Sequence, residues 1–216
     1  MDKKTVESAL KELKEKSPKR NFVQSVDLIV TFRDLNLKNP EEQVDFFASL
    51  PHSTGKKARV AAIVGPELYD KAKEVCDTVI TQEDFEKYKD KKEAKKLANS
   101  HDYFIAQADI MPKVAGAFGR VLGPRNKMPN PKLGSVLPAK GQVEPLYVKL
   151  QSTARITAKK SPMIQVKVGN ASMKDSDVVE NALQVFNQVV HHLPRENSNV
   201  KDVYLKLTMS KPVKIK

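Results

Sequence analysis

"HSTGKKARVAAIVGPELYDKAKEV", residues 52–75, is where the chain changes its grammar. Val60 to Val64 form an unbroken apolar run, the pattern of a strand buried on both faces. Gly65-Pro66 stops it, and "ELYDKAKEV" reads as a helix. The same alternation continues: the strand "DTVIT", a charged helix over "EDFEKYKDKKEAKKLANS", the strand "YFIAQA" and the helix "IMPKVAGAFGRVL". Buried strands alternating with helices predict βαβ units around a parallel sheet. This block runs on through the loop "GPRNKMPNPKLGSVLPAKG" to a short helix at "EPLYVKLQ".

On both sides of the block the style is different. Residues 3–16 place Val6, Ala9, Leu10 and Leu13 on one helical face. In "RNFVQSVDLIVTF", Phe22, Val26, Leu28, Val30 and Phe32 share one side of a strand, and Val23, Ser25, Asp27, Ile29 and Thr31 share the other. "NLKNPEE" reads as a loop and "VDFFASLP" as a second strand. After Thr153 the alternating pattern returns in "ARITAKK", "MIQVKVG" and "DVYLKLTMS". A long helix, "DSDVVENALQVFNQVVHHL", separates the last two, with Asp175 or Ser176 as its N-cap and Val179, Leu183, Phe186 and Val190 as its inner stripe. Strands of one style at both ends predict a two-domain α/β protein. A discontinuous α+β outer domain with an antiparallel sheet takes residues 1–52 and 157–216. An inserted Rossmann-like three-layer α/β domain takes residues 53–156, and connections near Ser53 and Ile156 form a double hinge.

The chain has 216 residues, 40% of them hydrophobic and 30% charged. No apolar run approaches the roughly 18 residues of a membrane span, and the charged start "MDKKTVESALKELKEK" is not a secretory signal. The single cysteine, Cys76, sits among apolar neighbours and reads as a structural thiol in a reducing compartment, the cytoplasm. Lys and Arg total 38 against 26 Asp and Glu, a net charge of +12. Self-repulsion of that size is offset best by a polyanion, with nucleic acid ahead of an anionic membrane. The absence of tryptophan and of a basic helix rich in aromatics argues against the membrane.

Few segments suggest chemistry. "LPHSTGKKAR" ends like a phosphate loop, but Leu50 stands where the first glycine belongs and Lys57 where Ser or Thr belongs. The four histidines, His52, His101, His191 and His192, form no metal pattern. No HExxH, paired cysteine or nucleophile elbow occurs, so no cofactor, metal or catalytic residue is expected. "KYKDKKEAKKLA" reads as a solvated helix face, with RNA contact as the lesser alternative. The outer strands say more: with Ile164, Val166, Val168, Val203, Leu205 and Leu207 inward, Gln165, Lys167, the Gly169 backbone, Tyr204, Lys206 and Thr208 point out beside Ser25 and Asp27. Hydroxyls, amides and lysines on one face suit folded RNA, where phosphates and 2′-hydroxyls are met together. In "GRVLGPRNKMPNP", the prolines stiffen a loop that can hold Arg125 and Lys127 ready for a partner or serve as a rigid connector.

"PKRNFVQSVD", "LPHSTGK", "FIAQADIMP", "GRVLGPRNKMPNP", "VGNASM", "VVENALQVF" and "YLKLTMSKP" together resemble, in order and spacing, the ribosomal protein L-one family of the large-subunit lateral stalk. The resemblance covers nearly the whole chain, and "RNFVQS" and "FIAQADIMP" are similar to its archaeal members. It implies a non-enzymatic ribosomal protein that binds the stalk helices of large-subunit rRNA and assists movement and release of exit-site tRNA. It further implies repression of translation of its own mRNA, no membrane association, and a monomer when free of the ribosome. The RNA contacts it implies fall on Phe22, Ser25, Asp27, Gln165, Lys167, Gly169, Thr208 and Met209. Lys206, from the outward strand pattern, and Ser210 complete the expected set, and the stiff basic loop with Arg125 and Lys127 is expected on the tRNA side. Ser210 stands where the family usually has glycine, so its hydroxyl either loosens the contact or replaces it with a hydrogen bond. Two rivals remain open at this point. One is a nucleotide-binding enzyme using the inserted domain, against which "AAIVGPELYD" supplies only Gly65. The other is a free mRNA regulator that never joins ribosomes.

Overall fold

The computed structural model describes residues 1–18, 20–139 and 141–215. Lys19 in "PKRNF", Lys140 in the long loop and Lys216 at the end of the outer domain lie outside the described residues. The chain begins with α1 (Lys3–Lys16), whose Val6, Ala9, Leu10 and Leu13 are buried on one stripe. Strand β1 (Ser25–Phe32) follows, with Val26, Leu28, Val30 and Phe32 inside and the alternate positions half-buried. Strand β2 is Val44–Ser49.

The middle of the chain builds the second unit, Lys57–Gln151. Its elements are β3 (Val60–Ile63), α2 (Pro66–Val75), β4 (Thr78–Ile80), α3 (Lys91–Ser100), β5 (Tyr103–Gln107), α4 (Met111–Leu122), β6 (Val136–Leu137) and α5 (Val143–Gln151). The strands form one parallel sheet in the order β4-β3-β5-β6. Ala61, Ile63, Phe104 and Ala106 pack with the buried stripes of α3 and α4. By alternation, the equally buried Val60, Ala62 and Ile105 turn to the other face, and α2 packs against α5. The charged segment 83–100 is two pieces instead of the one expected helix. A 3-10 turn spans Glu83–Lys89, then Asp90 takes an extended conformation and its carboxylate accepts the Lys92 N–H at 2.9 Å, starting α3 as an N-cap.

The chain then returns to the first unit, Met1–Lys56 with Ser152–Lys216. It adds β7 (Thr153–Ala158), β8 (Met163–Asn170), α6 (Asp175–His191), β9 (Val200–Leu207) and β10 (Val213–Lys214). The junctions fall four residues later and five earlier than 52/53 and 156/157. The second one moves because β7 pairs along its length with β2, Ser49↔Thr153 to Val44↔Ala158. A four-stranded antiparallel sheet runs β10-β9-β1-β8, so β1 is paired on both sides. Its inner residues share one core with α1, α6 and the β2–β7 pair. Each fully buried Leu or Val there contributes about 1.5–3 kcal/mol by removal from water. Lys174, not Asp175 or Ser176, stands at the α6 N-cap, with no side-chain capping bond. The inner stripe is wider than the four residues read from the sequence: Val178, Ala182, Val185 and Val189 join it, and Leu183 is only half-buried.

Within this buried stripe sits a polar side chain, Asn181, with no exposure. Its amide oxygen accepts the His52 N–H at 3.0 Å, and its NH₂ donates to the carbonyls of His52 at 3.0 Å and Val168 at 2.8 Å. One helix side chain therefore holds the segment leading to the insertion and the end of β8. Replacing it strands three backbone groups in the core. Asn181→Leu is expected to lower stability by about 2–4 kcal/mol. Urea unfolding of the full chain measures this, and a loss under about 0.5 kcal/mol contradicts the assignment.

Candidate RNA interface

The sheet register gathers most of the sequence-predicted residues at one end of the first unit. Asp27 on β1 faces Lys167 on β8 and Lys206 on β9, a cation–anion–cation row across three strands. Gln165 Nε2 donates to Asp27 Oδ2 at 3.1 Å. At the strand ends, the Thr208 hydroxyl accepts the Ser25 N–H at 3.0 Å and shares a second bond with Ser25 Oγ at 3.0 Å. The Thr208 N–H returns to the Ser25 carbonyl at 3.2 Å. Lys206 Nζ reaches the Thr208 carbonyl at 3.4 Å.

Ser210 is resolved by its geometry. Its Oγ accepts the Leu207 N–H at 2.9 Å and donates to backbone carbonyls, closing the turn after β9. Its φ is not positive, so the backbone here does not require glycine. The hydroxyl is spent on the turn, and the turn leaves the Met209 side chain 53% exposed.

Two expectations are corrected. Phe22 lies ahead of β1 and is 52% exposed, so it does not share the buried side with Val26. Gly169 faces inward: a side chain there would meet Val178 at 2.9 Å and Met173 Sδ at 3.2 Å. The cause is a bulge. Val26 pairs with Gly169 but Asp27 with Lys167, leaving Val168 as an extra residue that breaks the alternation. Beyond it, the Asn170 side chain accepts from the N–H groups of Ser172 and Met173 and donates to the Gly55 carbonyl at 3.1 Å.

Sequence reasoning missed Gln24, which is 6% exposed. Its Oε1 accepts the Met209 N–H at 3.0 Å, its NH₂ reaches Ser17 Oγ and the Pro18 carbonyl, and its own carbonyl accepts from Ala171 N–H at 2.8 Å. The available signal was parity: Gln24 is a polar residue in the buried register of Val26 and Leu28. It positions the turn that carries Thr208 and Met209.

Arg125 and Lys127 lie in the second unit and are half-buried. Arg125 Nη1 donates to the Val121 carbonyl at 3.1 Å, closing the end of α4. Lys127 Nζ donates to the carbonyls of Ala98 at 2.8 Å and His101 at 2.7 Å, at the end of α3. Both cations thus satisfy orphan carbonyls at helix C-termini. Cys76 is half-buried, and burial with the nearby Asp77 pushes its thiol up to about 11, which keeps it protonated and unreactive. His192 stacks on Phe46 at 3.7 Å and its Nδ1 lies 2.9 Å from the Gln188 carbonyl, a helix-end role.

In the parallel sheet the crevice between β3 and β5, where the strand order reverses, is the place for a nucleotide. Here the Gly65 N–H is already bound by Gln107 Oε1 at 2.8 Å, and Gln107 is 5% exposed. The phosphate position is filled by the chain's own amide.

These features define a class: a two-unit α/β protein, one unit inserted in the sequence of another, with polar groups gathered at a sheet end. The chain belongs to the Ribosomal protein L1p/L10e family, whose sequence model matches residues 11–211. It is 43% identical to the large ribosomal subunit protein uL1 of Methanobrevibacter smithii over 209 residues, 96% of each chain. Against the uL1 of Methanocaldococcus jannaschii it is 39% identical, over all of this chain and 97% of the relative. For Pyrococcus abyssi uL1 the identity is 37%, again over all of this chain and 97% of the relative. The nucleotide-enzyme alternative finds no support among these relatives.

Two outcomes follow from the side-chain roles. Gln24→Leu should speed amide exchange at Met209 by about tenfold, since its N–H loses a bond worth roughly 1 kcal/mol or more; unchanged exchange contradicts the positioning role. Lys127→Met should cost on the order of 1–2 kcal/mol of stability, read by thermal unfolding, and an unchanged melting temperature contradicts the capping role.

Proposed function

We propose that this protein is a structural component of the large ribosomal subunit and binds the lateral-stalk helices of its rRNA through the sheet end of the first unit. The observation that carries the reading is full-length kinship with proteins named large ribosomal subunit protein uL1. The Lys167–Asp27–Lys206 row and the turn bearing Thr208 and Met209 supply the chemistry. The lysines meet phosphates, the hydroxyls and Gln165 meet sugar and base edges, and exposed Phe22 and Met209 offer apolar surface to unstacked bases. Hydrogen bonds among Ser25, Thr208 and Gln24 hold these groups before RNA arrives, which lowers the ordering cost of binding.

On the subunit the protein works in the cytoplasm, assists movement and release of exit-site tRNA, and when free is a monomer that represses its own mRNA through a similar RNA structure. The loop carrying Arg125 and Lys127 contributes to tRNA handling by its rigidity, with the remaining guanidinium donors of Arg125 as its contact. The net charge of +12 supports all these polyanionic partners.

Co-sedimentation with large subunits after a moderate salt wash tests the ribosomal assignment; recovery only in the free fraction favours the mRNA regulator. With about six phosphates neutralised, log K for stalk RNA should fall against log salt with a slope of roughly −4 to −5. Lys167→Ala should flatten that slope by about one contact. Thr208→Val should cost on the order of 1–2 kcal/mol of affinity at an unchanged slope. Equal slopes for wild type and Lys167→Ala remove Lys167 from the phosphate contacts.

A further inference from the structure

A solvent-open cavity of about 290 Å³ lies beside the strand ends of the first unit, lined by Ser25, Gly55, Lys56, Lys167, Asn170 and Ser172, with Val23 at its edge. The side chains of two of these, Lys56 and Ser172, belong to no contact described so far. Gly55 explains how Lys56 gets there. Its φ is +73°, and a side chain on it would fall 2.2 Å from Asn170 Nδ2, so only glycine lets this loop lie on Asn170. Lys56 itself is exposed, with no hydrogen bond or ion pair among the described residues. Two lysines, Lys56 and Lys167, therefore line one small cavity and give it positive charge, which favours an anion there.

Ser172 adds a directional feature. Asn170 Nδ2 donates to the Gly55 carbonyl, so Asn170 Oδ1 is the acceptor, and Ser172 Oγ gives it its hydrogen at 2.8 Å. With that hydrogen committed, Ser172 presents only lone pairs to the cavity. A group that donates a hydrogen bond beside an anion is what a ribose 2′-OH and its neighbouring phosphate provide; a deoxyribose lacks the donor.

We infer that this cavity is a ribose-phosphate subsite in which Lys56 and Lys167 take one phosphate of the RNA backbone and Ser172 accepts the 2′-OH beside it. The inference rests on the RNA reading of the sheet end and extends it to the loop that leads into the inserted unit. It gives this site a means of telling RNA from DNA without reading sequence.

The test uses the full chain and a transcript of the Methanobrevibacter smithii large-subunit stalk helices, with a series of single 2′-deoxy substitutions. Wild type should lose about fivefold in affinity at one nucleotide, the worth of roughly one net hydrogen bond. Ser172→Ala should bind the all-ribose RNA about fivefold more weakly and lose all sensitivity to the deoxy substitution at that nucleotide. Lys56→Ala should flatten the salt slope by about one contact. A deoxy profile identical in wild type and Ser172→Ala overturns the ribose assignment, and an unchanged slope for Lys56→Ala overturns the phosphate assignment. Thr208→Val separates the two levels: if it weakens binding while the Lys56 and Ser172 variants do not, only the subsite falls. If all three bind like wild type, with melting temperatures unchanged, the sheet-end reading falls as well.

Discussion

An uncharged side chain in the middle of a helix stripe, Asn181, sets the geometry on which the rest depends. A buried amide must have its partners, and here they are all backbone: both groups of His52 and the carbonyl of Val168. Val168 is the extra residue of the β8 bulge, so its carbonyl is released from the regular ladder and available to the helix. Through this one contact the bulge, the helix and the segment leading to Gly55 are held in register. The ends of β8 and β1, where Lys167, Asn170 and Ser25 lie, follow from it.

What could be read from the sequence was whatever repeats. Period-two alternation in residues 25–32, 163–168 and 203–207 located the outer strands and their buried faces, and the run at Val60–Val64 located the parallel sheet. What does not repeat was lost. The bulge at Val168 turns Gly169 inward, and no local pattern announces it, because the partner strand lies well over a hundred residues away. The two-residue strands β6 and β10 are too short to show a period. Lys127 looked like a presented cation because its acceptors, the carbonyls of Ala98 and His101, belong to a different helix. Gln24 and Asp90 did carry signals, a polar residue in a buried register and an acid ahead of a helical run, and both signals are local.

At the candidate interface the chain spends much of its own polarity on itself. Thr208 holds Ser25, Ser210 closes the turn, Gln165 steadies Asp27, and Asn170 seats Gly55. A surface organised in this way has few side-chain rotors left to freeze, so contact with a rigid folded partner costs less entropy than its polar composition suggests. The inserted unit treats its switch point in the same way. Gln107 occupies the Gly65 backbone donor at that switch point, and displacing it would leave a buried amide without a partner.

β1 is the central strand of its sheet, and both of its neighbours are made late. As the polypeptide leaves a synthesising ribosome, the parallel-sheet unit has all its strands by residue 137, before β8 exists at all. Until residue 207 has been added, β1 lacks the strand that carries Thr208, and its edge is an open template for unwanted pairing. A prematurely released chain would therefore display a finished inserted unit and no strand-end surface. Completeness of synthesis is written into the candidate surface itself, because its strand ends are drawn from stretches of the chain far apart in sequence.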